Sequence, residues 1–191
     1  MDHVLKQYCP RIEFDSYEDF FENFQINVPE AFNFGYDVVD EWARVEPEKM
    51  ALVWCDDHDN EKKITFAELS RLSNQTANAF KRLGIGKGDV VMCILRRRWE
   101  YWVCAVALCK LGATIIPASL QLTKKDVVYR ANSADVKAIV CVDDDYVCTQ
   151  VEEALPDSPT IREKILVAGH RDGWVDFADL IKDESDEFER P

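Results

Sequence analysis

The sequence predicts an α/β fold built on a mostly parallel sheet, with helices on both faces and a short β-hairpin. From residue 89 onward, short apolar runs alternate with helical patterns, an order typical of parallel strands joined by right-handed crossovers. The run from Asp89 to Leu95 is almost continuously apolar, as expected of a strand covered on both faces. Gly84 and Gly112 mark where the helices on either side of this run should end.

The first fifty residues are expected to precede the sheet. Residues 1–12 show no hydrophobic period and are expected to be a loose lead-in. Ser16 marks the start of a short helix that continues through Phe24. A second helix is expected over 35–45, because Pro47 stops the pattern there.

The next segment predicts a hairpin followed by a long helix. Residues 51–54 and 62–65 are short strands separated by an acidic turn. Thr65 is followed three residues later by Glu68, the spacing of a capping box. Apolar residues then recur at intervals of three and four as far as Leu83, which predicts a helix with one buried face.

Beyond this helix the alternation of strands and helices continues to the end of the chain. We divide the chain into a lead-in with a short helix at 1–32, an α/β subdomain at 33–182 and an acidic linker at 183–191. After the strand at 89–95, the predicted elements are a helix at 99–111, a strand at 114–117, a helix at 123–132, a strand at 138–142, a helix at 146–155, a strand at 164–168 and a helix at 177–181.

Composition excludes several classes of partner. The chain has 191 residues and a formal net charge of −13, so phosphate backbones and anionic lipid surfaces would repel it. No apolar run has membrane-spanning length, and no charged-then-apolar leader opens the sequence. Its 7 cysteines are odd in number and lack a repeated spacing. We therefore expect reduced thiols and a cytoplasmic protein that binds neither nucleic acid nor membranes.

A glycine-rich turn at 84–89 superficially resembles a phosphate-binding loop. In phosphate-binding loops the glycines follow a strand and open a helix, whose N–H groups hold the anion. Here the glycines end a helix and lead into a strand, so the carbonyl end of the helix faces them. We therefore interpret them as a structural turn.

Two charged clusters follow predicted strands, where ligands of parallel sheets bind. Arg96, Arg97 and Arg98 could contact a phosphate or carboxylate, although a solvated loop is the favoured interpretation. The run from Asp143 to Asp145 could hold Mg²⁺ in a receiver-type phosphoacceptor site, but helix N-capping is favoured.

Metal and catalytic motifs are otherwise sparse in the sequence. Cys55 and His58 at the hairpin tip have metal-binding chemistry, but there is no second ligand pair. No nucleophile-elbow, zinc-protease or Cys-x-x-Cys motif occurs, so spacing alone completes no catalytic site.

Several segments, in order, resemble the amino-terminal region of the adenylate-forming acyl-CoA synthetases. The likeness is greatest to the medium-chain branch, near the acetyl-CoA synthetases, and covers residues 32–142 best. The segments are Phe32-Asn-Phe-Gly-Tyr36, Val39-Asp-Glu-Trp42, Ile64-Thr-Phe-Ala-Glu-Leu69, Asn78-Ala-Phe80, Gly86-Lys-Gly-Asp-Val-Val91, Lys110-Leu-Gly-Ala113, Ile116-Pro117, Gln121-Leu-Thr-Lys-Lys-Asp-Val-Val-Tyr-Arg130 and Lys137-Ala-Ile-Val140.

The resemblance implies a ligase that uses ATP, Mg²⁺ and CoA to convert a short- or medium-chain carboxylic acid to its CoA thioester. The family's phosphate loop, Tyr-Gly-x-Thr-Glu motif, hinge aspartate and C-terminal lysine are missing from this sequence. The resemblance therefore implies an amino-terminal fragment that is inactive alone and would associate with itself through exposed apolar surface. The acid pocket of this family is built from later residues.

One site residue is implied by the resemblance. Gln121 matches a glutamine that lines the CoA site in the medium-chain branch, just after the Ile-Pro strand. A surface amide that leads into a helix is the alternative for Gln121. Two further functions stay open from the sequence: an adenylate-forming enzyme that does not use CoA, and a free-standing α/β binding or receiver-type module.

Overall fold

The computed structural model describes residues 2–190. Met1 and Pro191, the first residue of the predicted lead-in and the last of the predicted linker, lie outside the described residues. The α/β prediction is confirmed, because a parallel sheet is flanked by helices and accompanied by an antiparallel hairpin. The hairpin pairs β1 (Met50–Cys55) with β2 (Glu61–Thr65). The sheet strands are β3 (Val90–Ile94), β4 (Thr114–Pro117), β5 (Val136–Val142), β6 (Glu163–Val167) and β7 (Val175–Asp176).

All the pairings within the described sheet are parallel, in the order β4-β3-β5-β6-β7. Helices α4, α5 and α8 contribute buried side chains to the core on one face, and α6 and α7 to the core on the other. The helices are α1 (Asp2–Tyr8), α2 (Tyr17–Asn23), α3 (Glu41–Val45), α4 (Phe66–Arg82), α5 (Glu100–Leu111), α6 (Lys124–Ala134), α7 (Asp145–Ala154) and α8 (Phe177–Ile181). A π-helical segment, Gly35–Asp40, leads into α3, and a 3₁₀ turn, Leu155–Asp157, follows α7.

Helix boundaries follow the signals in the sequence. Thr65 Oγ1 accepts a hydrogen bond from the Glu68 amide at 3.2 Å, which is half of the predicted capping box. The Glu68 carboxylate lies 3.9 Å from the Lys62 ammonium instead of closing the box. At α6 the box is complete, because the Asp126 carboxylate also accepts the Thr123 amide at 3.0 Å.

Helix α1 and strand β7 are described elements that the sequence did not predict. Helix α1 lies in the expected loose lead-in; its Val4 is buried, and so is Cys9 directly after the helix. These two apolar positions are too few to give a readable period, so the expectation of a loose segment was wrong. Strand β7 has two residues, Val175 and Asp176, and is too short to produce an alternating pattern.

The segment from 183 to 190 has no helix or strand, as predicted, but it lies along α4 and is not fully solvated. Side-chain amides on the exposed side of α4 donate to its backbone carbonyls. Asn74 donates to the Asp186 carbonyl at 2.8 Å, and Asn78 donates to those of Ser185 and Glu187 at 2.9 Å each. The acidic composition predicted a linker because composition reflects only the charges of the side chains. The contacts with α4 are made by backbone carbonyl groups of this segment, which composition does not reveal.

A buried ammonium joins the π-helical segment to α4 and α5. The Lys110 side chain is 0% exposed, and its Nζ donates to Asp40 Oδ1 at 2.7 Å and to Asn74 Oδ1 at 2.6 Å. Burial lowers the pKa of Lys110, and the hydrogen bond and charge of Asp40 oppose that shift. A Cβ on Gly35 would lie 2.6 Å from Lys110 Cγ, so the absence of a side chain at position 35 makes room for the lysine stem.

We predict that Asp40→Ala lowers the free energy of unfolding by about 3 kcal/mol, because it leaves a buried charge without its carboxylate. The estimate is at the low end for a broken buried pair, since the Asp40 side chain is 28% exposed. Urea denaturation measures the change. Asp179→Ala, which removes a surface pair with Lys182, is the control and should change stability by about 0.5 kcal/mol or less. Equal losses in the two variants would contradict the prediction.

Candidate functional site

The strand order identifies the edge of the sheet where a ligand would bind. The crossover after β3 leads to β4 on one side, whereas the crossover after β5 leads to β6 on the other. The direction of winding therefore reverses between β3 and β5. Open α/β sheets bind ligands outside the carboxyl ends of their strands at such a reversal. The loops that leave these two strands carry the predicted arginine cluster, 96–98, and the predicted aspartate cluster, 143–145.

A cleft of about 530 Å³ opens between the hairpin and the loop after β3. A second hollow of about 470 Å³ extends toward the hairpin tip and reaches Val142 at the end of β5. The three arginines at 96–98 line both spaces. Side chains from β1, from the residue after β3 and from the first turn of α5 complete the larger cleft; they include Leu52, Trp54, Leu95, Tyr101 and Trp102.

Trp54 attaches the hairpin to this loop. Its indole Nε1–H donates to the Arg97 carbonyl at 2.5 Å, and the Arg98 guanidinium lies 5.1 Å from the centre of its ring. On the neighbouring strand, the Lys62 ammonium lies 4.1 Å from the centre of the Trp99 ring. These contacts hold the hairpin over the carboxyl edge of the sheet, an arrangement that the sequence pattern did not indicate.

The three arginines have different surroundings. Arg98 forms a bidentate pair with Glu100 at 3.0 and 2.6 Å, and both side chains are largely buried. Arg96 has a left-handed backbone, with φ of 50°, and its guanidinium is 3.8 Å from the exposed Asp57 carboxylate. Arg97 is exposed, and its guanidinium has no carboxylate partner among residues 2–190. The favoured interpretation of a solvated loop therefore fits Arg96 and Arg97 but not Arg98.

The aspartate cluster is occupied by structural contacts. Asp144 caps α7 by accepting the Val147 amide at 3.1 Å, which confirms the predicted N-cap. Arg171 pairs with Asp143 at 2.6 Å and with Asp145 at 2.5 Å. A Cβ at Gly169 would clash with the Asp143 carboxylate, so the loop after β6 closes tightly over this cluster. Arg171 was not predicted, because it lies 26 residues or more from its partners.

At the hairpin tip, the Asp56 carboxylate organises the turn. It accepts the backbone amides of His58 at 2.9 Å and Asn60 at 3.0 Å and the side-chain amide of Asn60 at 2.8 Å. These bonds lower the pKa of Asp56, the largest contribution coming from the Asn60 side chain. Across the part of the chain that the structure describes, no three His, Cys, Asp or Glu side chains form a group that could hold a metal.

The glycine turn is structural, as predicted. Gly84 and Gly88 have φ of 79° and 86°, and the turn lies at the amino end of β3, opposite the candidate edge. The Gly86 amide donates to the Asp89 carboxylate at 2.8 Å. The Lys137 ammonium donates to the same carboxylate at 2.9 Å and to the Gly84 carbonyl at 2.5 Å. The polar groups of the turn are therefore satisfied internally.

Gln121 lies on the loop between β4 and α6, at the carboxyl edge of the sheet. Its side chain is exposed, and its backbone amide donates to Ser119 Oγ at 3.2 Å. The capping box of α6 begins two residues later, at Thr123. The loop therefore enters a firmly capped helix, and Gln121 does not line the cleft beside the hairpin.

Comparisons with known proteins agree with this fold. Residues 39–191 match the family model described as AMP-binding enzyme. The chain is 36% identical over 167 residues to acyl-coenzyme A synthetase ACSM4, mitochondrial, of Rattus norvegicus, covering 84% of this chain and 28% of that protein. It is 34% identical over 180 residues to acyl-coenzyme A synthetase ACSM3, mitochondrial, of Mus musculus, covering 91% of this chain and 31% of that protein.

Among solved structures, the anthranilate CoA ligase AuaEII in complex with anthranoyl-AMP matches with a TM-score of 0.77 and 21% identity. The match covers 86% of this chain and 30% of that chain, and it establishes a shared fold. The chain thus spans less than a third of the length of these relatives.

Two expectations from the sequence are corrected by these comparisons. The receiver-type module is wrong, because the family match places the chain in a different class of protein. The cytoplasmic location is also wrong, because the acyl-coenzyme A synthetases ACSM4 and ACSM3 are described as mitochondrial. Seven cysteines without a repeated spacing predicted reduced thiols, but reduced thiols do not distinguish the cytosol from other reducing compartments. In the described residues, no helix is long and apolar enough to cross a membrane.

Proposed function

The chain belongs to the AMP-binding enzyme family, and we propose that the whole protein is an acyl-CoA synthetase for which these residues supply the amino-terminal scaffold. The observation that carries this proposal is the similarity to acyl-coenzyme A synthetases over 84% to 91% of the chain. Such an enzyme would join a carboxylic acid to AMP at the expense of ATP, and would then transfer the acyl group to the thiol of CoA. The proposed acids have short or medium chains, including acetate, in keeping with the resemblance noted in the sequence.

The residues present do not fit the ATP and Mg²⁺ that this reaction would use. Adenylation requires cationic groups, N–H donors or a metal around the phosphates, because charge develops there in the transition state. The glycine turn is satisfied internally, and the aspartates at 143 and 145 both pair with Arg171. Arg96 and Arg97 are exposed cations at the carboxyl edge, but no group of three His, Cys, Asp or Glu side chains in the described residues could hold a metal beside them. The described residues therefore offer no complete cradle for ATP and Mg²⁺, and no step through either is derived from them.

Gln121 is the residue that we propose for CoA. Its exposed amide can donate and accept hydrogen bonds, and its place at the carboxyl edge suits a ligand of a parallel sheet. The contribution of this chain would then be to orient CoA, while later residues carry out the chemistry. The alternative function is an adenylate-forming enzyme that passes its acyl group to another acceptor. A substitution of Gln121 distinguishes the two functions, because only the first requires this residue to contact CoA.

The divisions at 1–32, 33–182 and 183–191 also belong to this proposal. The sheet lies wholly within the middle range, which supports it as the folded unit. The contacts between 183–190 and α4 would attach the last segment to that unit.

We predict that the isolated chain releases no pyrophosphate when incubated with ATP, Mg²⁺ and butyrate. The reason is the missing phosphate cradle. A coupled pyrophosphate assay measures the rate, and the full-length protein serves as the positive control. Pyrophosphate release by the pure chain above the rate of a heat-denatured sample would contradict the prediction.

In the full-length protein, Gln121→Ala should raise the KM for CoA about tenfold, the loss of roughly 1.4 kcal/mol from hydrogen bonds to the ligand. Adenylation, followed as exchange of pyrophosphate into ATP, should be unchanged. Gln25→Ala is the matched control, because Gln25 is an exposed glutamine in the lead-in. An unaltered KM for CoA would contradict the role of Gln121 in CoA binding. It would favour the alternative function, an adenylate-forming enzyme that passes its acyl group to an acceptor other than CoA.

The isolated chain should also self-associate through apolar side chains that it exposes. Tyr17 and Phe21 on α2 are 72% and 75% exposed, and Ile26 and Val28 just beyond are each 57% exposed. Surface of this kind favours association. Size-exclusion chromatography over a concentration series should give an apparent mass that rises with concentration, and Phe21→Ser should reduce the rise. A mass that stays monomeric at every concentration would contradict this.

A further inference from the structure

We propose that residues 183–190 form a strap that opens and closes as a unit and couples the lead-in to the buried Lys110 network, with Arg190 as its clasp. The strap lies along α4, and its far end reaches the π-helical segment that precedes α3. Its role is conformational, because it holds the segment around Asp37 against the rest of the fold. The strap requires neither ATP nor CoA and does not include Gln121, so this role goes beyond the proposed function.

The first half of the strap is held by side chains of α4. Gln75 donates to the Glu184 carbonyl at 3.1 Å, and the Arg82 guanidinium donates to the Glu184 carboxylate at 2.6 Å. Asn74 and Asn78 supply the bonds to the strap described above. Asn74, Asn78 and Arg82 are four residues apart along the helix, so they lie on one side of it. A solvated linker would leave these carbonyls to water, whereas here the helix supplies their donors.

Phe188 gives the strap an apolar anchor. It is the single apolar residue in 183–190, and its partly buried ring packs against the core formed with α4 and α5. The Lys81 ammonium of α4 lies 5.8 Å from the centre of this ring. Removal of the ring from water stabilises the attached position of the strap, to which its charged neighbours contribute no such apolar surface.

Arg190 fastens the far end of the strap. Its Nη1 and Nη2 donate to the two carboxylate oxygens of Asp37 at 2.8 and 2.9 Å, the bidentate geometry that guanidinium groups favour. Nη2 also donates to the Ala31 carbonyl, and the guanidinium lies 5.2 Å from the centre of the Tyr36 ring. The hydrogen bonds from Arg190 lower the pKa of Asp37. One side chain therefore joins the strap to both the lead-in and the π-helical segment.

Asn74 links the strap to the buried lysine. Its Oδ1 accepts from Lys110 Nζ at 2.6 Å, and its Nδ2 donates to the Asp186 carbonyl at 2.8 Å. An ammonium only donates and a carbonyl only accepts, so this orientation of the amide satisfies both partners. Lys110 also donates to Asp40, which lies in the same π-helical segment as Asp37. The contacts close a ring, whose members are Asp186, Asn74, Lys110, Asp40, Asp37 and Arg190.

This ring is the reason to expect that the strap opens as a unit. Its two ends are attached to different elements, α4 and the π-helical segment, and these elements are themselves joined through Lys110. Residues 183–190 contain no helix or strand that would hold the middle of the strap independently. Detachment of one end therefore removes a constraint on the other, and such local opening exposes the backbone to proteases.

Cleavage by a glutamate-specific protease tests the proposal in the purified 191-residue chain. We expect the bonds after Glu184 and Glu187 to be cut about tenfold more slowly than the bond after Glu13, which is exposed outside helices and strands. Asn78→Ala and Arg190→Ala should each raise the rate after Glu184 about tenfold, since each loses two hydrogen bonds or more. Arg190→Ala is the more informative variant, because Arg190 contacts the π-helical segment and not α4.

The midpoint of urea denaturation supplies an independent readout. Alanine has a higher helix propensity than asparagine, so Asn78→Ala would raise the midpoint if the strap contributed nothing. We expect the midpoint to fall instead. In the Asn78→Ala background, Arg190→Ala should lower it by less than half of the shift that it causes alone, because the strap is already detached.

Two matched variants serve as controls. Asn132→Ala removes a bond of the same kind, from α6 to the Asp157 carbonyl at 2.9 Å, on the other face of the sheet. Arg162→Ala removes an exposed arginine next to the amino end of β6. Both should leave the rate of cleavage after Glu184 unchanged, and far-UV circular dichroism verifies that every variant retains its helices.

Three results would overturn the proposal. The first is cleavage after Glu184 at the same rate in Arg190→Ala as in the unaltered chain. The second is a higher urea midpoint in Asn78→Ala. The third is cleavage of the unaltered strap as fast as cleavage after Glu13, the behaviour of a solvated linker.

Discussion

The pairing of β3 on both of its sides is the constraint on which the rest of the structure depends. Val91 lies opposite Ile115 on one neighbour and opposite Ala138 on the other, in parallel register. Because these pairings are parallel, the loops after β3, β4 and β5 all emerge at one edge of the sheet. That edge carries the arginine loop, Gln121 and the aspartate cluster. The amino edge carries the glycine turn, which is why a loop with a phosphate-binding appearance has only a structural role.

The hairpin adds an aromatic side chain, Trp54, to this edge of the sheet. Strand β1 places Trp54 against the loop after β3, and one indole hydrogen bond links two segments that are 43 residues apart. The same tryptophan supports Arg98 and lines the cleft. A scaffold that contains no described cradle for ATP therefore still has a defined, partly apolar space with cations at its rim.

Much of the fold could be predicted from the sequence, because its signals are local. Strand β4 was predicted with its observed bounds, and α8 likewise, since each is a short apolar run between turn residues. The N-caps at Thr65, Thr123 and Asp144 act within three residues and were readable for the same reason. Of the candidate site, Arg96 to Arg98 were predicted from their position after a strand, whereas Gln121 was implied by the family resemblance and its role stays a prediction. Trp54 and Arg171 were missed because their partners are distant in sequence, and no spacing encodes such contacts. In the sequence, Lys110 was noted only as part of the segment from Lys110 to Ala113 that resembles the family. A charged residue in a helix is usually exposed, so the sequence did not indicate that this lysine is buried.

Backbone amide NOEs across β3 test this arrangement most directly. The structure predicts contacts from β3 to both β4 and β5 with the parallel pattern, including Val91 to Ile115 and Val91 to Ala138. A pattern in which β3 has a neighbour on only one side, or pairs antiparallel with either strand, would contradict it. In that case the arginine loop, Gln121 and the aspartate cluster would no longer share an edge.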